Sequence, residues 1–246
     1  MKSQNFLLHC LERRLEPAAQ TWLRERCVQL SSGSSDKTLY QAFGQALRYA
    51  GKASLALDAA EQAEAFAIHP GWDLRDWTCD QAARAAILLS LPESPKTVEV
   101  VLSLFQTADL GEHLALARSL FLLPDPKSLM HIAREAIRSN MRDVFEAISQ
   151  YNPYPAEHCD EIAWNQMVVK CLFVDLPLRS IYGLDQRANS ELSRILMGLA
   201  RERYAAKRTL SPEAWRCASP YLNEKEAAEF VSLLENGTLN GEKQNA

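Results

Sequence analysis

The amino-acid sequence predicts an all-α protein. Ala, Leu, Glu, Arg and Gln, which are good helix formers, recur along the whole chain. Glycine and proline are few and dispersed, with nine and eleven copies in 246 residues. Runs of Val, Ile and Thr in the alternating pattern of strands are absent from the sequence. Together these observations favour helices joined by short connections.

Three helices are predicted in the first fifty residues, near 7–15, 18–30 and 38–49. The Ser- and Gly-rich stretch 31–35 separates the second from the third. Because the helical pattern continues on both sides, this stretch is interpreted as a flexible loop and not as a domain boundary.

Further helix starts are marked by proline. Ser94-Pro95, Asp125-Pro126 and Ser211-Pro212 each place a capping oxygen before a proline at the first helical position. After each start, apolar residues return at helical spacing, so each helix has one face to bury. Helices of this length are marginal alone, and these faces therefore need partner helices.

A 31-residue period links the middle helices. Ser94 and Asp125 are 31 residues apart, and the same shift places Thr78 at the position of Asp109. Repeated helix pairs predict stacked antiparallel helical hairpins, a HEAT-like α-solenoid. An irregular helical bundle is the alternative, because two good copies and one weak copy can arise by chance.

The domain organisation predicted from these patterns is simple. One all-helical domain is expected over 1–235. The remaining segment, 236–246, is polar and contains several Gly and Asn residues, so it is predicted to be a disordered tail.

Composition restricts the class of protein. Lys and Arg number 27 against 31 for Asp and Glu, and the net charge of -4 predicts no nucleic-acid partner. No apolar run approaches the roughly 20 residues of a membrane span, and the N-terminal segment does not have the pattern of a signal peptide. The six cysteines show no zinc-ligand spacing and are interpreted as buried reduced thiols. A cytoplasmic location is predicted.

The first polar segment is the loop 69–81, which leads into a predicted helix. It carries two tryptophans, which must either pack or contact a ligand. Asp76 and Asp80 are four residues apart, and two helical carboxylates at this spacing are able to hold a metal such as Mg²⁺. However, no second acidic motif completes such a site, and Arg84 follows Asp80 by four residues. A capping and salt-bridge role is therefore predicted, with no metal and no cofactor.

The second polar segment is 151–167, which begins with Asn152-Pro153-Tyr154-Pro155. The prolines keep this start extended. Glu157, His158 and Glu161 lie close enough in sequence to couple, and a histidine beside carboxylates is the usual proton shuttle of catalysis. A histidine near a helix start also serves as a structural hydrogen-bond donor. The catalytic residues therefore stay unassigned.

Two further groups complete the set of candidates. Lys170 is interpreted either as solvated surface or as the partner of an anionic group. The segment 185–189 predicts a turn followed by a helix cap, with Arg187 available to a buried acid. The residues predicted to bind a ligand or a partner are Trp72, Asp73, Asp76, Trp77, Asp80, Arg84, Tyr154, Glu157, His158, Glu161, Trp164, Asn165, Lys170, Asp185 and Arg187.

The chain resembles the EboA-domain family in a set of short motifs that extends over about 65–221. The motifs are HPGWD (69–73), WTCDQAAR (77–84), NPYPAE (152–157), WNQMVVK (164–170), GLDQRAN (183–189) and WR (215–216). The resemblance implies the product of a small gene cluster that makes or moves a metabolite. It also implies gene neighbours that include a membrane prenyltransferase-like protein and sugar-isomerase-like and hydrolase-like barrels. It supplies no accepted catalytic residues.

Two functional hypotheses follow. The first is a noncatalytic helical accessory or scaffold protein that supports the biosynthesis or transport of a small metabolite, such as a prenylated one. It acts by binding the metabolite or partner proteins of the same gene cluster, among them the membrane prenyltransferase-like protein. The alternative is an enzyme that acts on a hydrophobic or phosphorylated metabolite through an acidic and histidine cluster. This alternative requires both polar segments to face one cavity.

Overall fold

The computed structural model describes the backbone of residues 2–33 and 35–242, with side chains up to residue 235. Within this part of the chain the regular structure is α-helix and short 3₁₀ segments, with no β-strand, so the predicted all-α class is confirmed. The α-helices are α1 (Lys2–Glu12), α2 (Pro17–Ser31), α3 (Asp36–Ala50), α4 (Ala59–Ile68), α5 (Cys79–Leu88), α6 (Pro95–Thr107), α7 (Leu110–Ser119), α8 (Met130–Arg138), α9 (Arg142–Ser149), α10 (Tyr154–His158), α11 (Glu161–Phe173), α12 (Ser190–Ala205), α13 (Ala214–Ala218) and α14 (Glu224–Glu242).

The proline-marked helix starts differ in outcome. Ser94 caps α6 as predicted, because its side chain accepts a hydrogen bond from the Thr97 backbone N–H at 3.2 Å. Asp125 does not cap an α-helix: its backbone is left-handed, with φ of 49°, and a 3₁₀ helix (Pro126–Leu129) precedes α8. An N-cap residue needs an extended backbone, which Asp125 lacks. Pro212 likewise lies before the start of α13.

The described chain forms two compact units, Met1–His158 and Cys159–Ala246. The single domain expected over 1–235 stays a prediction. Of the tail predicted from position 236, the backbone of 236–242 belongs to α14, and 243–246 lie outside the described residues.

Helix α5 is the centre of the first unit. All ten of its residues are buried, and α1, α2, α3 and α7 pack against it. Arg118, in the last turn of α7, donates to the side chain of Gln81 in the first turn of α5 at 2.6 Å, so the two helices run antiparallel. In a solenoid each repeat contacts only its neighbours. The first unit therefore has the arrangement of an irregular bundle, although Thr78 and Asp109 both precede helices as N-cap residues, as the 31-residue period predicts.

The second unit is organised around α12, which packs against α11, α13 and α14. Leu192, Leu196 and Leu199 lie on its buried face. The hydroxyl of Ser193 on this face donates to the backbone carbonyl of Ala218 at 2.9 Å. This bond gives the buried hydroxyl group a partner at the end of α13.

Two sequence predictions about the class of protein can be compared with the fold. No helix in the described part of the chain combines the length and apolar character needed to cross a membrane. All six cysteines are buried thiols, as predicted. Burial raises the pKa of Cys10 and of Cys217 to about 12, so neither is a reactive thiolate at neutral pH.

Glu61, at the start of α4, gives the first unit a pH-dependent contribution to stability. Its carboxylate accepts from the Arg14 guanidinium at 2.6 and 2.9 Å and from the Asp58 backbone N–H at 3.0 Å, and only 6% of the side chain is exposed. Hydrogen bonding to Arg14, with the Asp58 N–H and the Arg13 charge, lowers the pKa of Glu61 to about 2. Because this pKa lies below the ordinary value, the ionised form stabilises the fold above about pH 4.5. That contribution is lost as pH falls from about 4.5 toward 2.

Glu61→Gln is therefore expected to lower the free energy of unfolding at pH 7 by about 2 kcal/mol, a figure reduced to allow for solvent screening and for the bonds that Gln retains. By pH 3 the difference from the wild type should shrink to about half. Urea unfolding at a series of pH values measures both quantities. A difference that stays constant between pH 7 and pH 3 would contradict the assignment.

Candidate functional site

The loop between α4 and α5 holds the first polar segment in a fixed conformation. Gly71 makes the turn after Pro70 with φ of 85°, a backbone that favours glycine. The Gln62 side chain then holds the loop from two sides: it donates to the Trp72 carbonyl at 3.0 Å and accepts from the Leu74 N–H at 3.3 Å. Residues 72–76 therefore reach the start of α5 along a defined path.

Trp72 and Trp77 belong to a buried aromatic cluster. Trp72 is 1% exposed, and its ring contacts those of Phe6, Trp77 and Phe121 edge-on at centroid distances of 5.3, 6.5 and 6.1 Å. Such pairs stabilise beyond the area that they bury. The Trp72 ring N–H is buried and has no hydrogen-bond partner in the described part of the chain. Both tryptophans are packed, as one of the two sequence interpretations requires.

Above this cluster lies a small depression, here named the tryptophan cleft. Its volume is about 20 Å³, which leaves room for about one water molecule. The residues that line it are Trp72, Asp73, Asp76, Trp77, Arg118, Phe121, Glu146, Gln150, Tyr151 and Asn152.

One side of the cleft is closed by a chain of charged and aromatic contacts. The Asp73 carboxylate accepts from the Arg75 guanidinium at 2.6 and 2.8 Å, and Arg75 lies over the ring of Tyr151 at 4.1 Å from its centroid. Hydrogen bonding to Asp73 raises the pKa of Arg75. Arg75 thus connects the loop before α5 to the segment after α9, while its own side chain stays more than half exposed.

Arg118 holds the other side of the cleft. Its guanidinium donates to the backbone carbonyl of Asp76 and to the side chain of Gln81. Burial lowers the pKa of Arg118, and the Asp76 and Glu146 carboxylates oppose this effect. The Asp76 side chain itself is exposed at the rim.

Asp76 and Asp80 do not form a metal-binding pair. Asp76 precedes α5 and is exposed, whereas Asp80 lies inside the helix and is buried against Arg84. Arg84 also donates to the Phe43 carbonyl at 3.1 Å, and Asp80 accepts from the Thr78 hydroxyl at 2.6 Å. The predicted salt-bridge role is confirmed for Asp80 and Arg84. Among the described residues, no group of three or more His, Cys, Asp or Glu side chains is placed to hold a metal ion.

A second group of ionisable residues, the histidine–glutamate cluster, consists of His69, Glu157 and His158. The Glu157 carboxylate lies between the two imidazoles, 3.5 Å from His69 Nε2 and 3.6 Å from His158 Nε2. The ring of His69 packs edge-on against Phe121 at 4.8 Å, so the cluster adjoins a residue that lines the tryptophan cleft. Glu157 and His158 lie close together, as predicted. Glu161, the third member of the predicted group, is exposed on α11, and the third member of this cluster is His69 instead.

Burial shifts Glu157 and His158 in the direction of their neutral forms. Burial raises the pKa of Glu157, and the nearby His69 opposes this shift. Burial also lowers the pKa of His158, with smaller contributions from Lys127 and His69. His69 Nδ1 faces the Pro70 carbonyl at 3.0 Å, and a carbonyl only accepts, so the proton is assigned to Nδ1 and Nε2 faces Glu157.

Tyr154 packs inside the first unit. Its side chain is fully buried, its hydroxyl donates to the Pro126 carbonyl at 2.6 Å, and its ring lies 4.9 Å from that of His158. The contact fixes α10, and with it Glu157 and His158, against the 3₁₀ helix that precedes α8.

In the second unit, the candidates Asn165 and Arg187 are joined to a helix cap. The Asn165 and Asn189 side chains exchange two amide hydrogen bonds, at 3.2 and 2.9 Å, while Asn189 caps α12 through the Leu192 N–H at 2.8 Å. Arg187 donates to the Cys159 carbonyl at 2.9 Å and lies 5.0 Å from the Trp164 ring centroid. The availability of Arg187 to a buried acid stays a prediction.

The remaining candidates of the second unit lie nearer the surface. Glu161 is exposed in the first turn of α11. Lys170 is half-buried, and burial lowers its pKa. Asp185 forms an ion pair with Arg216, in which both side chains are half exposed.

Sequence reasoning missed several residues around the cleft. Arg118 and Glu146 lie on α7 and α9, where nothing in the sequence distinguishes them from surface charges on other helices. His69 stands at the start of the first polar segment but was not among the candidates. The binding of a ligand or a partner by the predicted residues stays a prediction.

Residues 3–219 match the protein family described as "Metabolite traffic protein EboA". No curated protein and no solved structure matches the chain.

Proposed function

Since the chain belongs to the EboA family of metabolite traffic proteins, we propose that it is a noncatalytic accessory protein that binds other proteins of its pathway and so supports the biosynthesis or transport of a small metabolite. The proposed contact surface is the rim of the tryptophan cleft, with the exposed side chains of Arg75 and Asp76 at its edge.

The observation that carries the proposal is the small size of the cleft. A volume of about 20 Å³ has room for one water molecule, whereas sites for small molecules enclose about 300–1,000 Å³. A metabolite therefore does not fit between the carboxylates of this cleft as it stands. A partner protein needs no enclosed cavity, because it binds on the surface.

The hydrogen bonds and ion pairs of the buried motif residues also support binding of a partner at the surface. Asp80, Arg84 and Asn165 are buried, and each is engaged by groups of the chain itself. Such side chains hold the structure in place. The rim instead combines exposed charges with buried aromatic rings, and protein interfaces similarly have a polar rim around an apolar centre.

The test is pairwise binding of the purified chain to each protein encoded in its gene cluster, measured by calorimetry. At least one partner is expected to bind, and Asp76→Lys should weaken that complex about tenfold, because it reverses an exposed charge at the rim. Asp143→Lys is the matched control, since Asp143 is an exposed acid of the same unit that does not line the cleft. Equal affinities for the wild type and Asp76→Lys would contradict the assigned surface.

One observation favours a second candidate function, an enzyme that transfers a proton. The histidine–glutamate cluster holds a carboxyl group of raised pKa beside two imidazoles, which is suited to acid–base chemistry. If this function is correct, the purified chain alone should convert an intermediate of its pathway, and Glu157→Gln should abolish the conversion while leaving the partner complex intact. If no intermediate is converted, the noncatalytic proposal stands.

A further inference from the structure

The contact between His69 and Glu157 joins two parts of the first unit that are far apart in the sequence. His69 directly follows α4 and begins the loop that leads to Trp72, whereas Glu157 lies on α10. His69 Nε2 is 3.5 Å from Glu157 Oε2, and the two side chains are 25% and 32% exposed. The contact therefore holds one end of the loop that carries the residues of the tryptophan cleft.

The hydrogen bond at Nδ1 determines what the other ring nitrogen of His69 can do. Nδ1 lies 3.0 Å from the Pro70 carbonyl, which only accepts, so Nδ1 carries a hydrogen in the neutral ring as well as in the protonated ring. In the neutral ring, Nε2 then has a lone pair and no hydrogen. A lone pair and an ionised carboxylate both carry negative charge and repel each other. Attraction between His69 and Glu157 therefore requires one proton on either Nε2 or Oε2.

His158 does not impose this requirement. Its Nδ1 is buried and has no hydrogen-bond partner in the described part of the chain, whereas its Nε2 lies 3.6 Å from the same Glu157 oxygen. A buried N–H without an acceptor is costly, so the hydrogen of the neutral ring is assigned to Nε2, where it faces the carboxylate. This contact needs no additional proton, and it joins two neighbouring residues of α10.

The surroundings of the cluster keep the additional proton on the His69–Glu157 pair. Burial raises the pKa of Glu157, with His69 opposing, whereas burial, Lys127 and His69 lower the pKa of His158. Lys127, on the 3₁₀ helix before α8, is the charged residue outside the cluster that contributes to these shifts. Because the pKa of Glu157 is raised, its protonated form stabilises the fold, and this contribution is lost as pH rises through that pKa.

We propose that the His69–Glu157 contact is a pH-sensitive switch, which holds the start of the loop while one proton lies between the two side chains and opens when that proton is lost. Beyond Trp72 the same loop carries the exposed rim residues Arg75 and Asp76, so opening loosens one end of the proposed contact surface. The switch goes beyond the proposed function and does not depend on it, because its opening is measured on the chain alone.

Hydrogen exchange of the Trp72 backbone amide measures the opening. This N–H donates to the His69 carbonyl at 3.0 Å, and the Trp77 N–H, which donates to the Leu74 carbonyl at 3.0 Å, is the reference within the same loop. After correction for the intrinsic exchange rate, protection of the Trp72 amide is expected to fall about fivefold between about pH 6 and about pH 8, while that of Trp77 stays constant. Equal protection of Trp72 at the two pH values, or an equal loss at both amides, would overturn the proposal.

Glu157→Gln separates the switch from other titrations. The carboxamide offers a donor and an acceptor at every pH, so the contact with His69 should persist and protection of the Trp72 amide should not change with pH. Glu135→Gln is the matched control, since Glu135 is an exposed acid of the same unit that pairs with Arg138, and it should keep the wild-type pH dependence. If Glu157→Gln kept that dependence as well, the assignment of the switch to Glu157 would be refuted.

Discussion

Replacement of Arg84 by methionine is expected to lower the free energy of unfolding by about 3–5 kcal/mol, because it leaves the Asp80 carboxylate buried without its cation. Both side chains are almost completely buried, at 1% and 4% exposed. Methionine fills a similar volume but donates no hydrogen bond, so the Phe43 carbonyl also loses its bond from Arg84. Since α5 lies at the centre of the first unit, this loss affects the packing of the surrounding helices.

Urea unfolding at pH 7 measures the effect. Arg194→Met is the control: Arg194 pairs with Glu191 on the surface of α12 and is 73% exposed, so its loss should not change stability measurably. The double variant Asp80→Asn with Arg84→Met removes both charges and should be more stable than Arg84→Met alone. If Arg84→Met proved as stable as the control, Asp80 would not depend on its partner.

Asn152→Asp is expected to lower the free energy of unfolding by about 3 kcal/mol, although it only replaces the side-chain NH₂ group by an oxygen. The Asn152 amide N–H₂ donates to the carbonyls of Ala117 and Ala147, both at 2.9 Å, and its oxygen accepts from the Tyr154 N–H at 3.0 Å. The two carbonyls belong to the last turns of α7 and α9, where helix carbonyls lack a partner within the helix. An ionised aspartate keeps the bond from Tyr154, but it donates nothing and faces two carbonyl oxygens.

Thermal and urea unfolding test this role. Asn140→Asp places the same change at an exposed position of the first unit and should leave stability within error of the wild type. Because the carboxyl group of Asn152→Asp can donate once it is protonated, part of the loss should be recovered at low pH. If Asn152→Asp lowered the free energy of unfolding no more than the control, the hydrogen bonds from Asn152 would not be what stabilises the ends of α7 and α9.

The two polar segments illustrate how far sequence reasoning reached. The Asp80–Arg84 pair was predicted from a spacing of four residues, because side chains at this spacing lie on the same face of a helix. The predicted caps at Ser94 and at Asn189 in segment 185–189 are likewise confirmed, since a cap bonds to a backbone N–H only a few residues away. Asp125 was misjudged because its left-handed backbone depends on the packing around it.

The candidate site was harder to predict because its contacts join distant parts of the chain. Arg118 donates to the carbonyl of Asp76, 42 positions earlier, and His69 approaches Glu157 across an even longer separation. No local pattern records such distances. The size of the tryptophan cleft, on which the proposed function rests, could not be predicted from the sequence either, because it is set by residues of several helices.

The sequence by itself determined the all-α class, the helix caps at Ser94 and Asn189 and the resemblance to the EboA family, because helix propensity, capping and short motifs are properties of neighbouring residues. Only the tertiary structure decided that α5 is the centre of an irregular bundle, that Trp72 and Trp77 are packed, and that His69 joins Glu157 and His158. These features arise from the burial of apolar faces between helices far apart in the chain. That burial sets which polar groups are enclosed and which stay at the surface.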